Sequence, residues 1–278
     1  SNSGHDDLYV VKYNSSGTKQ WTKQLGSSSS TSLSDIAYGV STDSSGNIYV
    51  TGTTFGGLDG NSNTGRWDLF VIKYNSSGTK QWTKQLGTNS DETAYGIATD
   101  SSGNVYVTGY TAGGLDGNTS EGDWDLFFIK YNSSGAKQWS RQLGTSQSDI
   151  ARGVTTDLSG NIYVTGDTSD ELDGNNKVGG KDFFVVKYNS EGIKQWTKQL
   201  GTNAYDEAYG IATDSSGNVY VTGYTAGGLD GNSSYGSKDL FVVKYNSSGT
   251  KQWTKQLGTS SDDEAYGIAT DSSGNVYV

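Results

Sequence analysis

Four stretches of the chain place hard oxygen donors at short, repeated intervals. They read GGLDGNSNTGRWD (Gly56–Asp68), GGLDGNTSEGDWD (Gly113–Asp125), DELDGNNKVGGKD (Asp170–Asp182) and GGLDGNSSYGSKD (Gly227–Asp239). In each, an Asp, an Asn two places on and a closing Asp recur while the other letters change. The sets are Asp59, Asn61 and Asp68; Asp116, Asn118 and Asp125; Asp173, Asn175 and Asp182; Asp230, Asn232 and Asp239. Carboxylate and amide oxygens at alternate positions are what a calcium loop supplies. The bidentate Glu and the ligand order of an EF-hand are missing. The same letters read equally as an Asx turn at DGN, with the closing Asp tying the loop by backbone hydrogen bonds. The turn reading is preferred, and calcium is the cofactor if the oxygens converge.

The letters that vary within these loops point to recognition. Trp67, Trp124, Glu121 and Tyr235 put aromatic rings beside carboxylates, a combination that suits a sugar or a protein surface. A second set of acids, Asp91 and Glu92, Asp206 and Glu207, and Asp262 to Glu264, falls in the connections expected on the same face. That face is therefore expected to be acidic. Catalysis has little to work with. The one His, His5, would have to carry any Ser–His–Asp triad. A glycosidase needs two carboxylates in different environments, whereas repeats supply the same acid in similar ones. The chain is expected not to be an enzyme.

Composition narrows the partners further. The net charge of −10 argues against nucleic acid, since phosphate binding needs a surplus of Lys and Arg. No apolar run approaches the roughly 20 residues of a membrane helix, so no membrane partner is expected. There is no Cys, which removes disulfides and thiolate chemistry. Apolar residues reach only 32%, low enough to raise disorder as an alternative. The aromatics, however, recur in fixed register with Val, Ile and Leu, as disordered chains do not. The sequence opens on Ser1 rather than Met and is read as a piece of a longer protein.

What positions the loops is a repeat. GNIYV or GNVYV begins at Gly46, Gly103, Gly160, Gly217 and Gly274, every 57 residues. Trp21, Trp82, Trp139, Trp196 and Trp253 mark the same units. The first interval is longer by four residues, placed in GSSSSTSLSD after Leu25. Each unit holds four strand signals, exemplified by Asp68–Asn75, Lys80–Gly87, Ala94–Asp100 and Asn104–Thr111. DSSGN and NSSGT join them in pairs, with Asp or Asn opening the turn and Gly at the left-handed position. On this reading Asp43, Asp100, Asp157, Asp214 and Asp271 form turns. The Asn-x-Ser/Thr sequons at Asn14, Asn75, Asn132 and Asn246 fall on the sister turn.

DLFVIKYN carries apolar residues on both parities, so both faces need cover, while KQWTKQLG is half wet and carries an edge Lys. Such four-stranded units describe blades of an all-β propeller. The repeated Trp residues are expected to be buried between blades. Outer strand pairs begin at Asp7, Asp68, Asp125, Asp182 and Asp239, and inner pairs at Ala37, Ala94, Ala151, Ala208 and Ala265. The expectation is one domain over residues 1–278. It is a closed five-bladed ring, monomeric, in which the N-terminal outer strands pair with the C-terminal inner ones.

DLFVIKYNSSGTKQWTKQLG followed by AYGIATDSSGNVYVTGYT resembles the bacterial beta-propeller repeat family called SBBP. The resemblance covers nearly the whole chain. It implies a propeller from a bacterial surface or secreted protein and brings no catalytic motif. The family name is tied to seven blades, and five units are present here. The expected role is a non-catalytic module binding glycan or protein through the long-loop face; the alternative is a spacer with no ligand.

Overall fold

The computed structural model describes residues 6–27 and 34–278. His5 and most of the four-residue insertion lie outside the described residues. The chain divides into two compact units, residues 1–120 with 127–142, and residues 121–126 with 143–278.

Every strand signal becomes a strand. β1 (Leu8–Tyr13) and β2 (Lys19–Leu25) form a two-stranded sheet. β3 (Asp35–Thr42), β4 (Ile48–Thr54), β5 (Asp68–Tyr74) and β6 (Lys80–Leu86) form a four-stranded one in chain order. The pattern repeats in β7 (Glu92–Thr99), β8 (Val105–Thr111), β9 (Asp125–Tyr131) and β10 (Lys137–Leu143). It repeats again in β11 (Asp149–Thr156), β12 (Ile162–Thr168), β13 (Asp182–Tyr188) and β14 (Lys194–Leu200). The last full sheet is β15 (Asp206–Thr213), β16 (Val219–Thr225), β17 (Asp239–Tyr245) and β18 (Lys251–Leu257). β19 (Ala269–Thr270) and β20 (Val276–Tyr277) make a second two-stranded sheet. Among the described residues the N-terminal outer pair and the C-terminal inner pair, expected to share one sheet, each form a two-stranded sheet.

The two-parity reading explains the core. On β5, Leu69 and Val71 join a cluster with Ala94, Ile97, Val105 and Val107. Phe70 and Ile72, on the opposite face, join Leu8, Ile48 and Val50. The second unit repeats the arrangement, with Phe183 and Val185 against Ala208, Val219 and Val221. The outer strands are mostly exposed or half-buried, as their composition requires.

The recurring Trp residues are half-buried, not buried. The outer strand has a neighbouring sheet on one face only. The Trp21, Trp82 and Trp196 rings still pack sheet to sheet within their units. The Trp82 indole lies 2.9 Å from where a Cβ on Gly135 would stand and donates to the Ser133 carbonyl at 3.4 Å. Trp196 does the same with Gly249 and Ser247. A side chain at either Gly would collide with the ring.

The tight turns are built on the nominated carboxylates and amides. Asp43 Oδ1 accepts the Ser45 and Asn47 N–H groups at 3.0 and 2.9 Å, and Oδ2 accepts the Tyr49 hydroxyl at 2.9 Å. Asn75 Oδ1 plays the same part for Ser77 and Thr79.

Candidate functional site

The long loop that follows the second strand of each full sheet opens with a turn that explains LDGN. Leu58 is fully buried, and its N–H donates to Gln85 Oε1 at 2.9 Å. Asp59 takes the left-handed conformation at φ +59, which costs a side-chain-bearing residue about 1–2 kcal/mol. Its carboxylate is engaged by the Lys80 ammonium and by the Thr83 hydroxyl at 2.8 Å. Lys80 and Thr83 hold Asp59 below the usual carboxylate range against the burial that works the other way. Asn61 Nδ2 donates to the Leu58 carbonyl at 2.8 Å. Asp116, Asp173 and Asp230 repeat this with Lys137, Lys194 and Lys251.

The closing Asp acts elsewhere. Asp68 Oδ2 accepts the Thr64 N–H at 3.0 Å and the Gln85 amide at 2.9 Å. Asp125, Asp182 and Asp239 accept the N–H of Glu121, Val178 and Tyr235 at 2.8–2.9 Å. Of the three nominated metal ligands of each loop, the two Asp are thus tied to separate protein donors, the first of them to a lysine, and the Asn spends its amide on the Leu carbonyl. They do not fit calcium. Among the described residues no group of three or more His, Cys, Asp or Glu side chains gathers.

Part of the second set of acids also turns inward. Glu92 and Asp206 are fully buried, which corrects the expectation that they make the face acidic. Glu92 accepts the Thr88 N–H at 2.7 Å and its hydroxyl at 2.6 Å. Asp149 and Asp206 do so for Thr145 and Thr202. The main chain adds a tie: the Trp67 carbonyl accepts the Glu92 N–H at 2.8 Å, and the Lys181 carbonyl accepts that of Asp206 at 2.8 Å.

This frame holds four equivalent positions, Thr64, Glu121, Val178 and Tyr235, by the backbone alone and leaves their side chains exposed. Tyr235 is 64% exposed and Val178 42%. Two of the nominated binding residues, Glu121 and Tyr235, are therefore the same displayed position. The other two, Trp67 and Trp124, share the next one. Trp124 is 41% exposed, while Trp67 is half-buried edge-on against Phe55, centroids 5.1 Å apart. In the second unit, Val178, Gly201 to Ala204 and Ala226 to Gly228 line a cleft of about 480 Å³ beside this frame. That is the size of small-ligand pockets.

One group of charges escaped the sequence reading. Arg152 Nε lies 2.6 Å from Asp167, its Nη2 3.2 Å from Glu207, and Lys181 bridges the same two acids at 3.0 and 3.1 Å. Asp167 is fully buried. Against burial, Lys181 and Arg152 hold Glu207 below the usual carboxylate range. Arg152 sits at a bulge between Ala151 and Gly153, where the strand register skips one residue. The signal was present in the letters: Arg152 replaces the Tyr of AYG, and Asp167 the Tyr of VTGYT, in one and the same repeat.

The repeated four-stranded sheets and the loop frame define a beta-propeller repeat protein. The family model described as beta-propeller repeat, SBBP, matches residues 20–59, 81–116, 138–173, 195–230 and 252–278, and the chain belongs to that family. It is 29% identical over 240 residues to the regulatory protein FlaEY of Caulobacter vibrioides, covering 76% of this chain and 24% of that protein. It is 25% identical over 227 residues to the uncharacterized WD repeat-containing protein L264 of Acanthamoeba polyphaga mimivirus, covering 64% of this chain and 16% of that protein. The chain thus spans a quarter or less of the length of these curated relatives.

Proposed function

We propose that this chain is a non-catalytic recognition module of a bacterial surface or secreted protein, binding glycan or protein through its long-loop face. The observation that carries the reading is the constant frame around a variable position. The same carboxylate holds the backbone at Thr64, Glu121, Val178 and Tyr235, and the side chains range from hydroxyl to acid, aliphatic and phenol. Letters that packing constrains stay fixed; these four vary and face solvent. Repeated weak sites on one chain gain by avidity. Calcium, the alternative to the turn in these loops, has no part in this reading. A glycan array and a pull-down from bacterial surface extract test it, with Glu121→Ser, Val178→Ser and Tyr235→Ser combined as the control. Retention of the wild type and loss in the control support binding. No retention of either leaves the spacer reading.

The module works as a closed five-bladed ring in this proposal. Both half-sheets expose residues whose repeat equivalents are buried. Tyr9 is 70% exposed where Phe70 is fully buried, and Tyr277 is 58% exposed where Tyr220 is 2%. The register of β16 on β17 pairs Tyr220 with Lys244 and Val221 with Val243. Carried to the half-sheets, it sets Lys12 against Tyr277 and Val11 against Val278. The chain has no native Cys to interfere, so Val11→Cys with Val278→Cys is a clean probe. An intramolecular disulfide in dilute monomer supports closure; only intermolecular product contradicts it.

A further inference from the structure

The frame of the loop face rests on buried acids that stand in pairs without a cation between them. In the second unit the pair is Asp182 and Asp206, both fully buried. One oxygen of each does the tying. Asp182 Oδ2 holds the Val178 N–H at 2.9 Å and the Gln199 amide at 2.9 Å. Asp206 Oδ2 holds the Thr202 N–H at 2.7 Å and its hydroxyl at 2.9 Å. The other oxygen of Asp182, Oδ1, is buried and accepts no hydrogen bond, while the Thr225 hydroxyl attends the Asp206 carboxylate. Asp182 Oδ1 is aimed at Gly201, 2.1 Å from where a Cβ would stand. The first unit shows how close such a pair lies. Asp68 Oδ1 and Glu92 Oε2 are 2.0 and 3.0 Å from one point beside Gly87, so no more than about 5 Å apart.

Two ionised carboxylates this close and this dry repel one another, and the inner oxygens of Asp68 and Asp182 have no hydrogen-bond donor. A proton fits where little room is left. The charged groups around the pair do not neutralise it. Asp182 is the charged neighbour that acts on Asp206, and Lys177 acts on Asp182. The chain neighbours Lys181 and Glu207 bond each other at 3.1 Å and turn to Arg152 and Asp167. Burial first, then the Asp182 charge, pushes Asp206 above the usual carboxylate range. Burial first, then the Asp68 charge, does the same to Glu92.

We propose that each pair is a proton-binding site, in which one carboxylic O–H donates to the partner carboxylate, and that losing this proton to solvent loosens the loops the pair ties down. The loop face is then tightest in mild acid and slackens as pH rises. The proposal holds whatever ligand the face takes.

The test uses the full chain with carboxyl-labelled Asp and amide hydrogen exchange, both read by NMR from pH 3 to pH 8. One carboxyl of the Asp182–Asp206 pair should titrate at least one pH unit above exposed Asp residues. Protection factors of the Val178 and Thr202 amides, corrected for intrinsic exchange, should fall about tenfold from pH 5 to pH 8. In Asp206→Asn they should change less than twofold. Should that variant not fold, Asp182→Asn takes its place, and the wild-type titration needs no variant. Ordinary midpoints for both carboxyls would overturn the proposal. So would an equal loss of protection in the Asn variant. Protection at pH 8 restored by millimolar calcium would overturn it too, since the pair would then be a cation site.

Discussion

Tyr95 and Arg152 occupy the same bulge of successive repeats, and their surroundings are built from opposite chemistries. In the first unit Tyr95 meets Tyr38 edge-on with centroids 5.1 Å apart and lies 6.0 Å from Tyr110. In the second, Arg152 meets Asp167 where the Tyr110 equivalent would stand, and Lys181 and Glu207 complete a four-charge network. The backbone is the same in both: the register shift falls between Ala94 and Gly96 in one, and between Ala151 and Gly153 in the other. The bulge re-aims one side chain and leaves its chemistry open, provided its neighbours change with it. Arg152 among tyrosines would be a half-buried charge without a counter-ion. Asp167 without its cations would be a buried one.

The largest effect should come from breaking the ionic version. Arg152→Ala leaves buried Asp167 and Glu207 with Lys181 alone and should cost about 3–5 kcal/mol in urea melts. Tyr95→Ala, which removes ring contacts only, should cost about 1–2 kcal/mol. A similar cost for both would mean that the network is no more than packing.

The next effect sharpens the contrast between these compensated charges and the uncompensated acid pairs. Asp149 is fully buried, and burial first, with the Asp125 charge behind it, pushes its carboxyl up to about 6. The folded state therefore holds this proton more tightly than the unfolded chain. Its stabilising contribution is complete below the unfolded value near 4 and is lost as pH rises to about 6, roughly 3 kcal/mol in all. Asp43 and Asp214 shift the other way: despite burial, hydrogen bonds from their turns hold them low, so their contribution disappears in stronger acid. Melting against pH should peak in mild acid. Asp149→Asn should remove much of the fall toward pH 7, and an unchanged profile would contradict the assignment.

Trp82→Ala should cost about 2 kcal/mol, below the roughly 3–5 of a fully buried aromatic, because one edge of the ring is already wet. Smaller still is the exchange of one chemistry for the other. Arg152→Tyr, Asp167→Tyr, Lys181→Trp and Glu207→Thr together should stay within about 1 kcal/mol of the parent, as whole-network replacements do. A large loss would show that the two versions are not interchangeable. The smallest effect is expected from calcium. Melting in calcium and in chelator should coincide within about 1 °C, where saturating a folded-state site a hundredfold would add about 2.7 kcal/mol.

Much of the fold was legible because it rests on local rules. The strand at Asp68–Tyr74 was visible in its two apolar parities, and the turns at Asp43 and Asn75 in their Asx chemistry. The half-burial of Trp82 was not, because a period-2 pattern tells which face a residue takes and not how many sheets cover it. The loop was half legible. LDGN looked like a cation loop because Asp and Asn oxygens serve turns and metals alike, and only the position of Lys80, 21 residues away, decides which. Glu92 and Asp206 looked like surface acids because letters give charge but not burial. The Arg152 network required comparing one repeat with the others rather than reading the residues they share.

The central claim is that the variable positions of the loop face, not its constant frame, do the recognising. The direct measurement is binding on a glycan and surface-protein array by the parent and by the combined Glu121→Ser, Val178→Ser and Tyr235→Ser variant, each with its melting temperature. A ligand held by the parent, lost at least tenfold in the variant at unchanged melting temperature, is the expected result. A ligand held equally by both, or none held by the parent, would contradict the account.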